Sequence, residues 1–247
     1  MDEKIREALI QLNRQFYDEF ASSFSVTRCQ PQAGVRRVAD MLGTDIKILD
    51  LGCGNGQFMK YLQSQGFSGS YTGMDASASL LRDAASLFQP GQGMCASFLQ
   101  TDLSQLGWLD ALGDQRFQVV TAFAVLHHIP GVKQRKILMT EIKNLLVNDG
   151  LFIFSTWQFQ NSPKLMGRVL PWESLGLHGT DLEVGDTLLD WRAQSPAGQV
   201  GLRYVHLFSE RELEALRLDC GFNLVESFYS DGKQGNLALY QVWQKNK

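Results

Sequence analysis

The sequence predicts an α/β protein built on a doubly wound, mostly parallel sheet, and three observations carry that expectation. A short apolar run, Ile46, Ile48, Leu49 and Leu51, stops at three glycines in five positions, Gly52, Gly54 and Gly56, as a buried strand does where it turns into a helix. From there to Trp157, apolar runs alternate with amphipathic segments in the rhythm of strand–helix–strand units. The first three runs also end in step on a carboxylate: Asp50, Asp75 and Asp102.

Taken in order, the chain opens with Ile5, Leu9, Leu12, Phe16 and Phe20 at steps of three and four, which marks an amphipathic helix from Glu3 to Phe24. From Tyr17 the sequence Y-D-E-F-A-S-S-F-S-V-T-R is more polar than a packing helix requires, and reads on its own as a helix end followed by a loop. A second helix, Gly34 to Leu42, leads into the glycine strand. Helix Gln57 to Gln65, strand Ser70 to Asp75, helix Ser77 to Phe88 with Ser77 as N-cap, and strand Cys95 to Gln100 follow. A short helical or turn segment, Gln105 to Leu112, precedes a fourth strand starting at Phe117. The next helix, Gly131 to Leu146, sets Ile137, Leu138, Ile142 and Leu145 on one face, and Asp149–Gly150 make the turn into a fifth strand ending at Trp157. Between Gln158 and Tyr204 the periodicity is lost. A loop of that length is either a functional lid or a variable surface insertion. Beyond it, Ser209 and Glu212 spell a capping box for a last helix, and Phe222 to Ser230 and Asn236 to Gln244 alternate as strands of a hairpin.

Composition narrows the functional classes. With 44% hydrophobic residues in 247, the chain can bury a substantial core. A formal charge of −3 gives no overall field for a polyanion, so any nucleic acid needs a local basic patch or a partner. Cys29, Cys53, Cys95 and Cys220 form no C-x-x-C pair, so no metal site and no disulfide framework is expected. The N-terminus has no apolar leader and no run approaches membrane-spanning length, which together predict a soluble cytoplasmic protein that engages no membrane.

The glycine turn selects its ligand. The spacing is G-x-G-x-G with Gln57 next, not the G-x-G-x-x-G of a dinucleotide site, and Asp50 before it would repel a pyrophosphate but attract an ammonium. S-adenosylmethionine carries an ammonium and no phosphate. Asp75 is placed to accept from both ribose hydroxyls, and the side chain or neighbouring amide of Asp102 is placed to read an adenine edge.

These stations resemble the class I S-adenosylmethionine-dependent methyltransferases over Ile46 to Trp157. The resemblance implies a Rossmann-like, seven-stranded sheet with an antiparallel last strand, N-terminal helices and a lid insertion. Its divisions are 1–45 as a helical cap, 46–157 as the cofactor core, 158–205 as the lid and 206–247 as the closing helix and hairpin. It assigns Asp50, Gly52, Gly54 and Gly56 to the methionine portion, Asp75 to the ribose, and Asp102 with Leu103 to the adenine. Cys53, Ala76, Ser77 and Phe123 complete the cofactor candidates, and S-adenosylhomocysteine is the implied product.

A narrower resemblance touches both ends of the chain. Y-x-x-x-A-x-x-F-S-x-T-R from Tyr17, R-Y-x-H-x-F from Arg203, and the G-N before the last strand are similar to tRNA carboxymethyluridine methyltransferases, which esterify a wobble-uridine acid. Leu237 departs from that pattern, which often has an aromatic residue there. By the resemblance Tyr17 and Arg28 close over the cofactor, Arg28 and Arg203 orient the acid, and a small activating subunit is a possible partner. The acceptor is then tRNA, or a small molecule if the ends mislead; a non-catalytic cofactor-binding protein is a third alternative. A basic rim of Arg28, Lys164, Arg168, Arg192 and Arg203 would favour tRNA. His127 and His128 are either substrate-facing groups or imidazoles that cap a turn.

Overall fold

Strand β1 (Lys47–Leu51) buries four of its five side chains, including Asp50, which only a central strand covered on both faces can do. In the computed structural model it pairs in parallel with β2 (Ser70–Asp75) on one side and β4 (Phe117–Phe123) on the other. The structure describes residues 1–27 (backbone only for 21–27), 29–91, 93–105, 107–192 and 200–246. Strands β3 (Cys95–Gln100), β5 (Leu146–Trp157), β9 (Phe222–Ser230) and β10 (Ala238–Lys245) complete a seven-stranded sheet of order β3-β2-β1-β4-β5-β10-β9. Within it β10 runs antiparallel to both neighbours.

Period-two alternation assigns the two faces. Leu49, Leu51, Val120, Phe152 and Phe154 pack with Leu138, Met139 and Ile142 of α5 (Val132–Leu145) and Leu213 and Leu216 of α7 (Glu210–Cys220). Ile48, Tyr71, Val119 and Ile153 pack on the other side against Val35 and Val38 of α2 (Ala33–Met41), Phe58, Met59 and Leu62 of α3 (Gln57–Ser64), and Leu81 of α4 (Ala78–Leu87). Ser77 caps α4 by accepting from the Leu80 amide at 3.3 Å.

Four differences from the sequence reading stand out. The first helix, α1 (Glu3–Thr27), runs past Phe24 through the polar stretch. The segment 158–204 is no loop: after the short α6 (Pro163–Met166) it forms a second sheet, β6 (Val169–Leu170), β7 (Asp186–Arg192) and β8 (Val200–His206), in antiparallel order β6-β7-β8. Buried Asp190, Arg203 and His206 interrupt the apolar alternation that would have announced those strands. β5 begins at Leu146, with the expected Asp149–Gly150 turn surviving as a kink inside it where Asp149 has φ 61° and the pairing with β4 slips. Finally, Ser209 caps α7 by accepting from the Glu212 amide at 3.2 Å, but the Glu212 carboxylate turns away to His206 and Arg135.

α1 lies on β8, so the N-terminal helix and the second sheet meet. Gly201 of β8 allows it: a Cβ there would come within 2.6 Å of the Phe20 ring and 2.9 Å of Phe16. Leu9, Phe16 and Phe20 are buried in that seam.

Candidate active site

The carboxyl ends of β1 to β4, the turn after β4 and one face of α1 enclose a cleft of about 800 Å³, within the range of small-molecule sites. Its floor is the glycine loop, and the three glycines serve different ends. All are left-handed, with φ of 67°, 55° and 77° at Gly52, Gly54 and Gly56, a region costly for other residues. A Cβ on Gly52 would lie 2.4 Å from Val125, and one on Gly56 would lie 2.8 Å from Ala84, so these two permit close packing. At Gly54 a Cβ would meet nothing within 4 Å; this position borders the open cleft, where a ligand can lie against bare backbone. Cys53, between them, donates its amide to Met74 O at 3.0 Å, and burial pushes its thiol well up.

Asp50 accepts from the Tyr71 hydroxyl and the Thr121 hydroxyl, each at 2.6 Å, on strands to either side. Burial raises its carboxyl to about 6, while the two hydroxyls pull the other way. At neutral pH it is therefore mostly an anion, facing the cleft with little water to screen it. Asp75, at the end of β2, accepts from the Gly54 amide at 2.8 Å and the Ser77 amide at 2.9 Å, which ties the glycine loop to the second strand. Burial raises this carboxyl too, and those amides offset part of the effect. Ala76 and Ser77 line the wall beside it. Leu103 and Phe123 close the cavity, the Phe123 ring standing edge-on to Phe58 at 5.1 Å.

Asp102 has a different engagement from the one its position suggests. One oxygen accepts from the Ser104 amide at 2.8 Å and hydroxyl at 2.5 Å, and the other takes Nε and Nη2 of Arg14 at 2.7 and 2.5 Å.

Tyr17 faces the turn after β4. Its hydroxyl lies 2.7 Å from His128 Nε2, and His128 Nδ1 lies 3.2 Å from the Tyr204 carbonyl. A carbonyl only accepts, so Nδ1 carries the proton of the neutral ring and Tyr17 donates to Nε2. His127 is buried, and its Nδ1 accepts from the Trp157 amide at 3.3 Å. Both histidines thus hold the turn and line the cleft at once.

Arg203 is buried on the face of β8 that looks into the cleft. Its guanidinium lies 4.6 Å from the Trp157 ring and 5.3 Å from the rings of Phe16 and Trp191. Three aromatic walls fix a cation that cannot lose its proton. Three residues on, His206 points the other way into a polar network. It bonds Asp186 at 2.7 Å and Glu212 at 2.9 Å, the Tyr204 hydroxyl donates to Asp186 at 2.7 Å, and buried Arg135 reaches Glu183 at 2.7 Å, Glu212 at 3.2 Å and the Ile129 carbonyl at 3.1 Å. Burial alone would depress His206, but its two carboxylates outweigh that and hold it above its ordinary value. Glu183, Asp186 and His206 bring potential metal-ligand atoms within 4.8 Å of one another; their lone pairs are already engaged by Arg135, Tyr204 and the imidazole.

The basic rim that would favour tRNA is not assembled around the cavity by the described residues. Among its described members Arg203 lines the cleft, Lys164 and Arg192 are exposed, with Arg192 paired to Asp190 at 2.9 Å, and Arg168 is half-buried outside it. Arg28 lies outside the described residues. Sequence reasoning missed Asn13 and Arg14 on α1, and Tyr71 and Thr121 around Asp50. Thr121 carried a signal, being a buried-strand hydroxyl between Val120 and Ala122; the other three carried none.

A family profile describing a methyltransferase domain matches residues 24–227. The tRNA (carboxymethyluridine(34)-5-O)-methyltransferase of Schizosaccharomyces pombe is 25% identical over 224 residues, 87% of this chain and 90% of that one. A ubiquinone biosynthesis O-methyltransferase of Rickettsia conorii is 28% identical over 131 residues, 53% of this chain and 42% of its own. Among solved structures, a SAM-dependent methyltransferase from Methanosarcina mazei superposes with a TM-score of 0.62 at 24% identity, covering 85% of this chain and 97% of that one. Among the described residues no helix is long and apolar enough to cross a membrane.

Proposed function

The chain belongs to the methyltransferase-domain family, and from that premise we propose that it transfers the methyl group of S-adenosylmethionine to the carboxylate of a carboxymethyl-type wobble uridine in tRNA, forming a methyl ester. The cleft fits that cofactor. The bare backbone at Gly54 accommodates a close ligand, ionised Asp50 suits an ammonium, Asp75 suits a ribose diol, and among the described residues no basic cluster lines the loop for a phosphate. When bound, S-adenosylmethionine supplies an already activated methyl group, so the protein's task is alignment and exclusion of water.

Arg203 carries the acceptor assignment. A buried guanidinium held by three aromatic rings and facing the cofactor cleft is suited to orient a carboxylate through paired hydrogen bonds. Such an acceptor is already an anion and needs no general base, which agrees with His127 and His128 being committed to the turn. The relationship to the fission-yeast enzyme along most of both chains supports the same reading. A net charge of −3 leaves the rest of the RNA to local groups or to an activating subunit.

One observation favours a second acceptor class. The Tyr17–His128 hydrogen bond joins a phenol to an imidazole of fixed tautomer at the cleft wall, an arrangement able to draw a proton from a hydroxyl acceptor. A small-molecule O-methyltransferase would use it. Incubation with radiolabelled S-adenosylmethionine and either bulk tRNA or a metabolite extract separates the two. Alkali-labile label in tRNA, lost in Arg203→Ala, is the expected result; label confined to the metabolite fraction overturns the tRNA assignment.

A further inference from the structure

α1 meets the cleft along a single stripe. Ile10, Asn13, Arg14 and Tyr17, spaced as i, i+3, i+4 and i+7, all line the cavity. Within it Arg14 holds Asp102, beyond the carboxyl end of β3, through Nε and Nη2 at 2.7 and 2.5 Å. On either side of it along the helix, the Asn13 amide oxygen accepts from the Tyr204 amide at 2.9 Å, and Tyr17 reaches His128 at 2.7 Å. The helix therefore bridges the cleft from its adenine side to its acceptor side.

The state of Asp102 decides what this bridge does. Its carboxylate accepts three hydrogen bonds within the chain, two from Ser104 on one oxygen and one from Arg14 Nε on the other, and Arg14 Nη2 lies 2.5 Å from that second oxygen. An adenine amine arriving beside it would have to compete with the guanidinium for that oxygen. We infer that Arg14 is a positioning residue for the cofactor: its pair with Asp102 clamps α1 across the adenine end of the cleft and retains the ligand, leaving the adenine edge to the backbone at Leu103. This rests on the S-adenosylmethionine reading. Both partners keep some exposure, 40% for Arg14 and 23% for Asp102, so the clamp can open and its strength falls with ionic strength.

The test is the dissociation rate of S-adenosylhomocysteine from the full chain, measured by stopped flow for the wild type, Arg14→Ala, Asp102→Asn and the double variant. Asp102→Asn keeps an acceptor for Ser104. Each single change is expected to speed dissociation about fivefold, the size of a partly exposed ion pair, and the double variant no more than either alone. At about 1 M salt the wild-type rate should rise to meet the variants, and Arg14→Lys should restore part of the retention. A slow Arg14→Ala beside a fast Asp102→Asn would mean that the carboxylate reads adenine directly and would overturn the inference, as would additive effects in the double variant. A wild type that binds no S-adenosylhomocysteine removes the cofactor reading and the inference together.

Discussion

Asp50 shows how a single residue can be legible in its position and not in its state. Its place before the glycines is written in the sequence, but the hydroxyls of Tyr71 and Thr121 that hold it come from neighbouring strands 21 and 71 residues away. Burial lifts its carboxyl to about 6 from an ordinary 3.8. A raised acid binds its proton more tightly folded than unfolded, so its stabilising effect is present below about pH 4 and is lost as pH rises through about 6. The wild type should lose on the order of 3 kcal/mol relative to Asp50→Asn across that interval, as read by denaturant unfolding at stepped pH. The same ionisation should tighten S-adenosylhomocysteine binding as pH rises through about 6 and level off about one unit above; affinity indifferent to pH there would separate Asp50 from the ammonium.

At the scale of the element, the glycine loop divides its labour between folding and binding. Gly56 packs against Ala84 and is left-handed, so Gly56→Ala meets both a steric and a backbone penalty and should cost at least about 2 kcal/mol of unfolding free energy. Gly54→Ala meets open space and only the backbone penalty, about 1 kcal/mol, yet puts a methyl group at the cleft floor. Thermal denaturation should rank Gly56→Ala as the less stable chain, whereas cofactor affinity in the folded fraction should fall further for Gly54→Ala. Helix α1 illustrates the reverse case: its apolar stripe predicted the helix, and its polar stripe, which holds the cleft, carried no local signal. Asn13 and Arg14 acquire meaning only when β8 and the β3 end are brought beside them.

At the scale of the molecule, the buried network around Arg135 joins the core to the second sheet. Arg135 on α5 holds Glu183 before β7, Glu212 on α7, and the carbonyl of Ile129 beside the two histidines. With 2% of Arg135 exposed, Arg135→Met leaves two carboxylates with an uncompensated charge and is expected to lower the unfolding free energy by about 3 to 5 kcal/mol. Converting Glu183 and Glu212 to Gln in the same chain should recover much of that loss in urea titration. A loss under 1 kcal/mol in the single variant would mean that the network adjusts without its cation.

By itself the sequence determined the parallel core, the glycine loop and the three acidic strand ends, because those features follow from short-range rules: strand periodicity, helix caps and the backbone freedom of glycine. It did not disclose the small lid sheet, whose strands bury Asp190, Arg203 and His206 and so break the alternation that marks a strand. Only the tertiary structure decided which protein groups hold each acidic residue, as Arg14 holds Asp102 across 88 residues of chain. It also decided that Arg203, but not Lys164 or Arg192, enters the cleft. The physical reason is the same in each case: a charged side chain takes its role from the partner that compensates it, and that partner is supplied by distant elements once the core has packed.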